Sequence, residues 1–131
     1  MNLTELTYIS KSHEQMGMLS LMTVLEGAIK WNQSHGITGV LFYENGYFCQ
    51  LLEGDKQDIL DVWDRIEGDA RHIIVRKLDI KPIEKRRYPN WKLRFYGAEQ
   101  IASQFKEMSS ILDGMPEHDH ELLQVMRTIV D

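Results

Sequence analysis

The sequence predicts an α+β domain built on a mainly antiparallel β-sheet, and three observations support this prediction. Two short apolar runs, 37–43 and 47–53, are separated by Asn45-Gly46. Apolar residues recur at helical spacing in two longer stretches, 18–31 and 59–66. A chain of 131 residues can bury one core without disulfide or metal support. We therefore expect one compact unit with two long helices and several strands.

The first two predicted elements are a strand and a broad helix. Residues 2–9 are rich in Thr, Ile, Leu and Tyr, which favour strands. The helix that follows has one apolar row with steps of four, three and four, formed by Met18, Met22, Leu25 and Ile29. A second row adjoins it, formed by Leu21, Val24, Ala28 and Trp31. Because this apolar surface is wide, the helix is expected to contact the sheet and something else.

A hairpin and a second helix come next. Asn-Gly between two apolar runs is a strong hairpin signal, since both residue types tolerate positive φ. Gly54-Asp55 then suits the start of a helix, and Gly68 suits its end. Apolar residues at helical spacing give this helix its buried stripe: Ile59, Trp63 and Ile66.

The remaining elements complete a βαββαββ order. Residues 73–80 predict a strand, a basic turn with two prolines follows, and residues 91–97 predict the last strand. This order contains that of the ferredoxin-like fold, with both long helices on one sheet face. Strand 47–53 is apolar on both sides, so the apolar rows at 101–112 and 122–130 predict a C-terminal helical pair on the other face. We divide the chain into residues 1–97 and a helical extension, 98–131.

Composition excludes several classes of function. The net charge of −5 argues against nucleic acid as a partner, and no stretch is apolar enough to span a membrane. The start of the chain does not resemble a secretory signal, so we expect a cytoplasmic protein. Neither His35 nor His72 has further ligands at metal-site spacing, and His118 with His120 reads as a solvated turn. The basic run 85–87 also reads as a solvated turn, with binding to an acidic partner surface as the alternative.

Gln50 breaks the apolar pattern. Alternation places it on the same side as Phe48 and Leu52, which is the side the long helices should cover. A buried amide without partners costs about 1–3 kcal/mol, so something must bond to it. Tyr8 and Asn32 are candidate partners within the chain. Gln50 is either a satisfied core glutamine or part of a binding site.

Five short motifs in order resemble the BLUF family of flavin-binding blue-light sensors, over roughly residues 3 to 95. They are L-x-x-L-x-Y-x-S at the start, N-x-x-x-G-I-T-G from Asn32, F-x-Q-x-L-E-G from Phe48, R-I-x-x-D-x-R-H from Arg65, and the late tryptophan Trp91. The resemblance implies a blue-light photoreceptor that holds FAD, with FMN or riboflavin as alternatives. The flavin ring would lie between the two long helices.

The resemblance also assigns roles to individual residues. The family's tyrosine and glutamine fall on Tyr8 and Gln50, which would form the photoswitch together with Trp91 and Leu93 of the last strand. Asn32 would anchor the ring, and Val24 and Ile66 would sandwich it. Polar or peripheral contacts to the cofactor fall on Arg65, Asp69, Lys30 and His72. Electron and proton transfer from Tyr8 would rearrange the Gln50 amide, by rotation or tautomerisation, so that it donates to the C4 carbonyl of the flavin.

Two positions depart from the family pattern. Leu93 stands where methionine is common, and Trp31 stands where a polar or basic residue often touches the cofactor. Trp31 is expected either to stack on the cofactor or simply to pack. Leu93 and Trp91 would lie beside Gln50 if the last strand paired with 47–53. Cys49 alternates with Gln50 and should face the opposite side, which disfavours a flavin–thiol adduct.

No catalytic residues are predicted, and output is expected through a separate signalling protein or a homo-oligomer. Two other functions stay open at this point. One is a ferredoxin-like module that binds a metabolite or a protein without light. The other is an acylphosphatase-like enzyme, which would need an arginine-bearing phosphate loop after the first strand; residues 10–17 contain no arginine.

Overall fold

The structure is a computed structural model, and it describes residues 2–12, 18–44, 46–78, 80–89, 93–96, 121, 122, 124 and 128. Two long helices and six strands lie in these ranges. In chain order they are β1 (Leu3–Ser12), α1 (Met18–His35), β2 (Thr38–Glu44), β3 (Tyr47–Asp55), α2 (Lys56–Glu67), β4 (His72–Lys77), β5 (Lys81–Pro82) and β6 (Arg94–Tyr96).

The strands form one sheet in the order β4-β1-β3-β2-β6, and β5 also pairs with β1. All pairs are antiparallel except β2 with β6, which is parallel. The predicted α+β ferredoxin-like order is therefore confirmed. The predicted strand 73–80 corresponds to the shorter β4, His72–Lys77. The two-residue β5 was not predicted, because it lies in the proline-containing segment that the sequence indicated as a turn.

The partner of the last strand differs from the arrangement considered above. β6 pairs with β2, where Leu41 lies opposite Phe95, and the other neighbour of Leu41 is Gln50. One whole strand therefore separates β6 from β3, so Leu93 does not lie beside Gln50. Edge pairing of this kind is a long-range choice that the apolar pattern of β6 alone does not specify.

Glycine is required at two positions of the β2–β3 hairpin, one with a positive φ and one where two backbones approach closely. Gly46 has φ of +83°, a left-handed conformation that the hairpin turn requires. At Gly39 an added Cβ would collide with the backbone carbonyl oxygen of Leu51, so only glycine fits between the strands.

Helix α2 begins and ends where the sequence indicates. Asp55 is its N-cap, and the carboxylate accepts a hydrogen bond from the backbone N–H of Gln57 at 3.4 Å. Gly68 ends the helix, and its N–H donates to the carbonyl of Asp64 at 3.1 Å. Ile59, Val62 and Trp63 are the buried residues of this helix, so its apolar stripe faces the sheet.

Apolar side chains are buried on both faces of the sheet. Residues from β1, β3 and α2 pack together on the first face, among them Leu6, Leu52 and Ile59. On the second face Ile9, Cys49 and Leu51 pack with Leu122 of the C-terminal segment. The predicted cover of the second face is thus present at Leu122, which is helical and 7% exposed. The apolar row at 101–112 lies outside the described residues, and the division at residue 97 stays a prediction.

In the predicted solvated turn at 85–87, Lys85 and Arg87 are exposed as expected, but Arg86 is half-buried, which corrects the expectation for that residue. The carboxylate of Glu53 is fully buried and accepts hydrogen bonds from the backbone N–H groups of Arg87 at 2.8 Å and Tyr88 at 2.9 Å. The guanidinium of Arg86 donates to the Thr38 hydroxyl and the Glu53 carbonyl. The turn therefore folds onto β2 and β3, because a buried carboxylate needs donors and this segment supplies them.

Candidate functional site

Tyr8 and Gln50 meet at the centre of the sheet. They are directly opposite residues of β1 and β3, and each is 5% exposed. The Tyr8 hydroxyl donates a hydrogen bond of 2.5 Å to Oε1 of Gln50. The amide that seemed anomalous in the sequence is thus bonded to the tyrosine expected as its partner.

The surroundings of Tyr8 are largely apolar and aromatic. Burial, together with the nearby ionisable groups of Cys49 and Asp69, raises the pKa of the Tyr8 phenol far above its ordinary value. The ring of Trp63 lies 5.7 Å from the Tyr8 ring, and the ring of His72 lies 6.3 Å away, edge to face. The phenol therefore remains protonated, with Gln50 as its acceptor.

A cavity of about 290 Å³ opens above this pair, between α1 and α2. The sheet supplies its floor, the two helices its walls, and the segment after α2 one edge. Its lining residues are Tyr8, Thr23, Val24, Gly27, Ala28, Trp31, Asn32, Leu41, Phe48, Gln50, Leu52, Val62, Arg65, Ile66, Asp69, Arg71 and His72.

The edge formed by the segment after α2 carries charge. The Asp69 carboxylate accepts hydrogen bonds from the guanidinium of Arg71, with Oδ1 to Nε at 2.9 Å, and also from the Arg71 backbone N–H at 2.9 Å. Chiefly because of the side-chain hydrogen bonds, the pKa of Asp69 is lowered to about 2. The cavity thus has a pair of opposite charges at one edge, and its helical walls are mainly apolar, with Thr23, Asn32 and Arg65 as their polar members.

His72 fastens this edge to the rest of the domain. Its Nε2 lies 2.6 Å from the carbonyl oxygen of Ile66 and must donate, since a carbonyl only accepts. Its Nδ1 lies 2.8 Å from the buried hydroxyl of Ser10. Both ring nitrogens are therefore engaged within the protein, and His72 contributes mainly its ring surface to the cavity.

Trp31 lines the cavity from α1. Its ring stacks on His35 with centroids 3.9 Å apart, and the guanidinium of Arg65 lies 4.6 Å over the same ring. The indole Nε1 is buried and makes no hydrogen bond within the described residues. Trp31 thus packs inside the protein, in line with one of its two expectations, and stacking on the cofactor stays a prediction.

Most of the residues expected at the cofactor lie around the cavity. Besides Tyr8 and Gln50, they are Val24, Asn32, Arg65, Ile66, Asp69 and His72. Two others do not reach it: Lys30 is exposed on α1, and Leu93 is buried beside Leu25, Leu41 and Phe95. Trp91 lies outside the described residues.

Sequence reasoning missed several residues of the lining. Gly27 and Ala28 follow Val24 by one helical turn, so the spacing of α1 could have placed them. Phe48 and Leu52 share the strand face of Gln50, and alternation could have placed both. Arg71 is the second arginine of the R-I-x-x-D-x-R-H motif that begins at Arg65, so the motif could have placed it beside Asp69.

The cavity fits the ring system of a flavin. Its walls are mainly apolar or small, and a Cβ added at Gly27 would meet no protein atom within 4 Å. Its floor offers the buried amide of Gln50, and Asn32, 2% exposed, lies at the end of α1. The volume is at the lower end of the range for small-molecule sites, so the ring system would lie inside and the rest of a dinucleotide at the mouth. In the ranges that the structure describes, no three His, Cys, Asp or Glu side chains gather as a metal site.

These features define a ligand-holding α+β domain whose site lies between two helices and a buried phenol–amide pair. The family model described as BLUF, sensors of blue-light using FAD, matches residues 3–94. The chain therefore belongs to the BLUF family, which senses blue light with FAD. This membership sets aside the metabolite-binding and acylphosphatase-like alternatives.

Known relatives agree with this assignment. The chain is 36% identical over 111 residues to the photoactivated adenylate cyclase subunit beta of Euglena gracilis, covering 84% of the chain and 13% of that protein. The dark-state structure of the BLUF protein BlrB matches with a TM-score of 0.70 at 27% identity, covering 81% of this chain and 80% of that one. Klebsiella pneumoniae BlrP1, in a complex with manganese and cy-diGMP, matches with a TM-score of 0.71 at 26% identity. This match covers 98% of this chain and 33% of that one. The chain thus spans about an eighth of the cyclase subunit.

Within the described residues, no helix is both long and apolar enough to cross a membrane.

Proposed function

We propose that Tyr8 and Gln50 are the photoswitch of this BLUF domain. The observation that carries the proposal is the 2.5 Å hydrogen bond from the Tyr8 hydroxyl to Oε1 of Gln50, buried at the floor of the cavity. When bound, FAD supplies the absorption of blue light and an excited state that oxidises a nearby phenol. Tyr8 is placed to lose an electron together with its hydroxyl proton, for which Gln50 is the adjacent acceptor.

Gln50 suits a reversible switch because its amide carries both a donor and an acceptor. In the dark its Oε1 is committed to Tyr8, so its NH₂ group points away from the phenol. Once Tyr8 has given up its proton, the amide can rotate or change tautomer and present a different group to the cofactor. With FAD bound, a changed hydrogen bond from Gln50 to the ring would shift the absorption slightly to the red.

The other lining residues hold and orient the cofactor. Val24 and Ile66, from opposite helices, would contact the two sides of the ring system. Asn32 supplies an amide at the end of α1 for the polar edge of the ring. Arg65 and the Asp69–Arg71 pair would border the more polar parts of the cofactor, and His72 braces that edge. The domain itself is a sensor and performs no catalysis.

The signal is proposed to pass to an effector protein or through a homo-oligomer. The cyclase relative named above is far longer than this chain, so in that protein the matching region forms only a small part. The apolar rows at 101–112 and 122–130 are the expected route, and Leu122 of the second row packs with Cys49 and Leu51 on strand β3. Cys49 and Leu51 flank Gln50 in the sequence but face the opposite side. We further expect a cytoplasmic location.

A light-minus-dark absorption spectrum tests the proposal. Purified protein supplied with FAD should be yellow and should show a small red shift under blue light that reverses in the dark. Protein that binds FAD without a reversible shift would refute the photoswitch assignment.

A further inference from the structure

The two tryptophans in the described part of the chain share an unusual feature. Trp63 lies beside Tyr8 and Trp31 lines the cavity, and each has a positively charged side chain over its ring. Trp63 lies 5.7 Å from the Tyr8 ring, and Nζ of Lys77 lies 5.0 Å over the Trp63 ring. Trp31 lines the cavity, and the Arg65 guanidinium lies 4.6 Å over it.

A cation over an indole affects how easily the indole is oxidised. The neutral ring attracts the cation through its electron-rich face. Once the ring has lost an electron it carries a positive charge, and the same cation then repels it at about 5 Å. A cation–π pair therefore stabilises the reduced indole and destabilises its oxidised form.

Tyr8 is arranged in the opposite way. Among the described residues, no lysine or arginine is placed over its ring, while its hydroxyl has a proton acceptor in Gln50 at 2.5 Å. Loss of an electron from Tyr8 can be accompanied by loss of its proton, so no net positive charge has to build up on the phenol.

We propose that Lys77 and Arg65 are specificity-determining residues for the photoreaction, because their charges keep oxidation on Tyr8 and away from Trp63 and Trp31. This inference rests on the proposed role of Tyr8. In the productive step one electron passes from Tyr8 to the photoexcited oxidised flavin, and the phenol proton passes to Gln50; recombination returns both.

The side reaction that Lys77 suppresses can be written in full. Trp63 would give one electron to the oxidised Tyr8, which would regain its proton from Gln50 and become an intact phenol. The flavin would keep the electron it had received, and Trp63 would remain as a radical cation. Gln50 would then return to its dark bonding without switching, and the signal would be lost.

Lys77 offers the clean test of this idea. It lies on the edge strand β4, directly opposite Tyr8 of β1, and it is exposed. It does not line the cavity, so replacing it leaves the cofactor contacts in place. A matched control is Lys11, also exposed, whose Nζ lies 5.7 Å over the ring of Tyr47, outside the cavity.

The experiment is transient absorption of the FAD-loaded protein after a blue flash, read as the ratio of tryptophan to tyrosine radical. Lys77→Met should raise this ratio about three- to tenfold. Lys77→Arg, which keeps the charge, should resemble the unmodified protein, as should Lys11→Met. Adding Trp63→Phe to Lys77→Met should remove the extra tryptophan signal. In a second experiment, Arg65→Met should raise the amount of tryptophan radical formed on Trp31, while Arg65→Lys should not.

The outcomes separate the two proposals. If the unmodified protein forms a tyrosine radical but Lys77→Met forms no additional tryptophan radical, only the proposed role of the lysine is overturned. If the unmodified protein forms no tyrosine radical and Tyr8→Phe leaves the flavin excited-state lifetime unchanged, the role of Tyr8 as electron donor is overturned. The proposed role of Lys77 and Arg65 then falls with it.

Discussion

Tyr8 and Gln50 lie opposite each other on antiparallel strands, and the phenol of one donates to the amide oxygen of the other at 2.5 Å. The bond fixes the orientation of the amide, since only its oxygen can accept. Both groups are buried, so water does not compete for the bond. The proposed photoswitch is therefore a single cross-strand pair at the floor of the cavity.

Replacing Gln50 by leucine should leave flavin binding intact and abolish the red shift. Leucine has a similar volume but neither donor nor acceptor, so no hydrogen bond to the ring can change. The measurement is the light-minus-dark spectrum at equal flavin content. Gln57→Leu, on the exposed start of α2, is the control and should keep the shift. A normal shift in Gln50→Leu would contradict the assignment.

Replacing Tyr8 by phenylalanine should keep the yellow colour and remove the normal light response. The ring still packs against Trp63, but the hydroxyl that supplies the proton is gone. Flavin fluorescence should become stronger and longer lived, because its main electron donor is lost. Tyr47→Phe, at the hairpin and outside the cavity, should behave as the unmodified protein. Equal lifetimes in both variants would exclude Tyr8 as the donor.

Replacing Gly27 by leucine should block the cavity while the domain stays folded. The substitution stabilises the helix itself, since glycine is about 0.8–1 kcal/mol less favourable in a helix interior than good helix formers. The larger side chain would overpack the flavin site at a cost of about 1–3 kcal/mol, which weakens FAD binding by about 5- to 150-fold. Titration of flavin-free protein with FAD measures this.

The control for Gly27→Leu is its neighbour, Glu26→Leu, which places the same side chain on the exposed side of α1. It should bind FAD normally. Equal affinity in the two variants would mean that the flavin does not lie against Gly27.

Replacing Glu53 by glutamine should destabilise the domain by about 1–3 kcal/mol without changing the spectrum. One of the two oxygens that accept from the N–H groups of Arg87 and Tyr88 becomes an NH₂ group, which leaves a buried donor unpaired. Urea unfolding measures the loss. Glu67→Gln, exposed at the end of α2, should change stability little. Equal stability of the two variants would show that the turn does not depend on Glu53.

Cys49 should resist thiol reagents in the folded protein. It is fully buried, and desolvation raises its pKa to about 12 from an ordinary value of 9.0. Because the folded-state pKa is the higher one, this thiol contributes stability below pH 9 that is lost as pH rises towards 12. Labelling between pH 7 and 9 should be slow in buffer and fast in urea. Rapid labelling of the native protein would contradict the packing of the second face.

The sequence predicted the features that depend on neighbours along the chain. The hairpin at Gly46, the N-cap at Asp55 and the end of α2 at Gly68 all follow from local conformational preferences. Strand alternation also placed Cys49 on the face opposite Gln50 correctly. The family motifs also predicted residues of the site, since they assigned roles to Tyr8, Asn32 and Gln50 before any distance between them was known.

Only the tertiary structure decided how distant segments meet. The pairing of β6 with β2 rather than β3, and the burial of Arg86 against Thr38, depend on contacts across more than forty residues. The positive charges over Trp31 and Trp63 likewise come from other elements, Arg65 of α2 and Lys77 of β4. Local periodicity reports which face of an element is buried, but it does not report which partner covers that face. That choice is made by the packing of the whole domain.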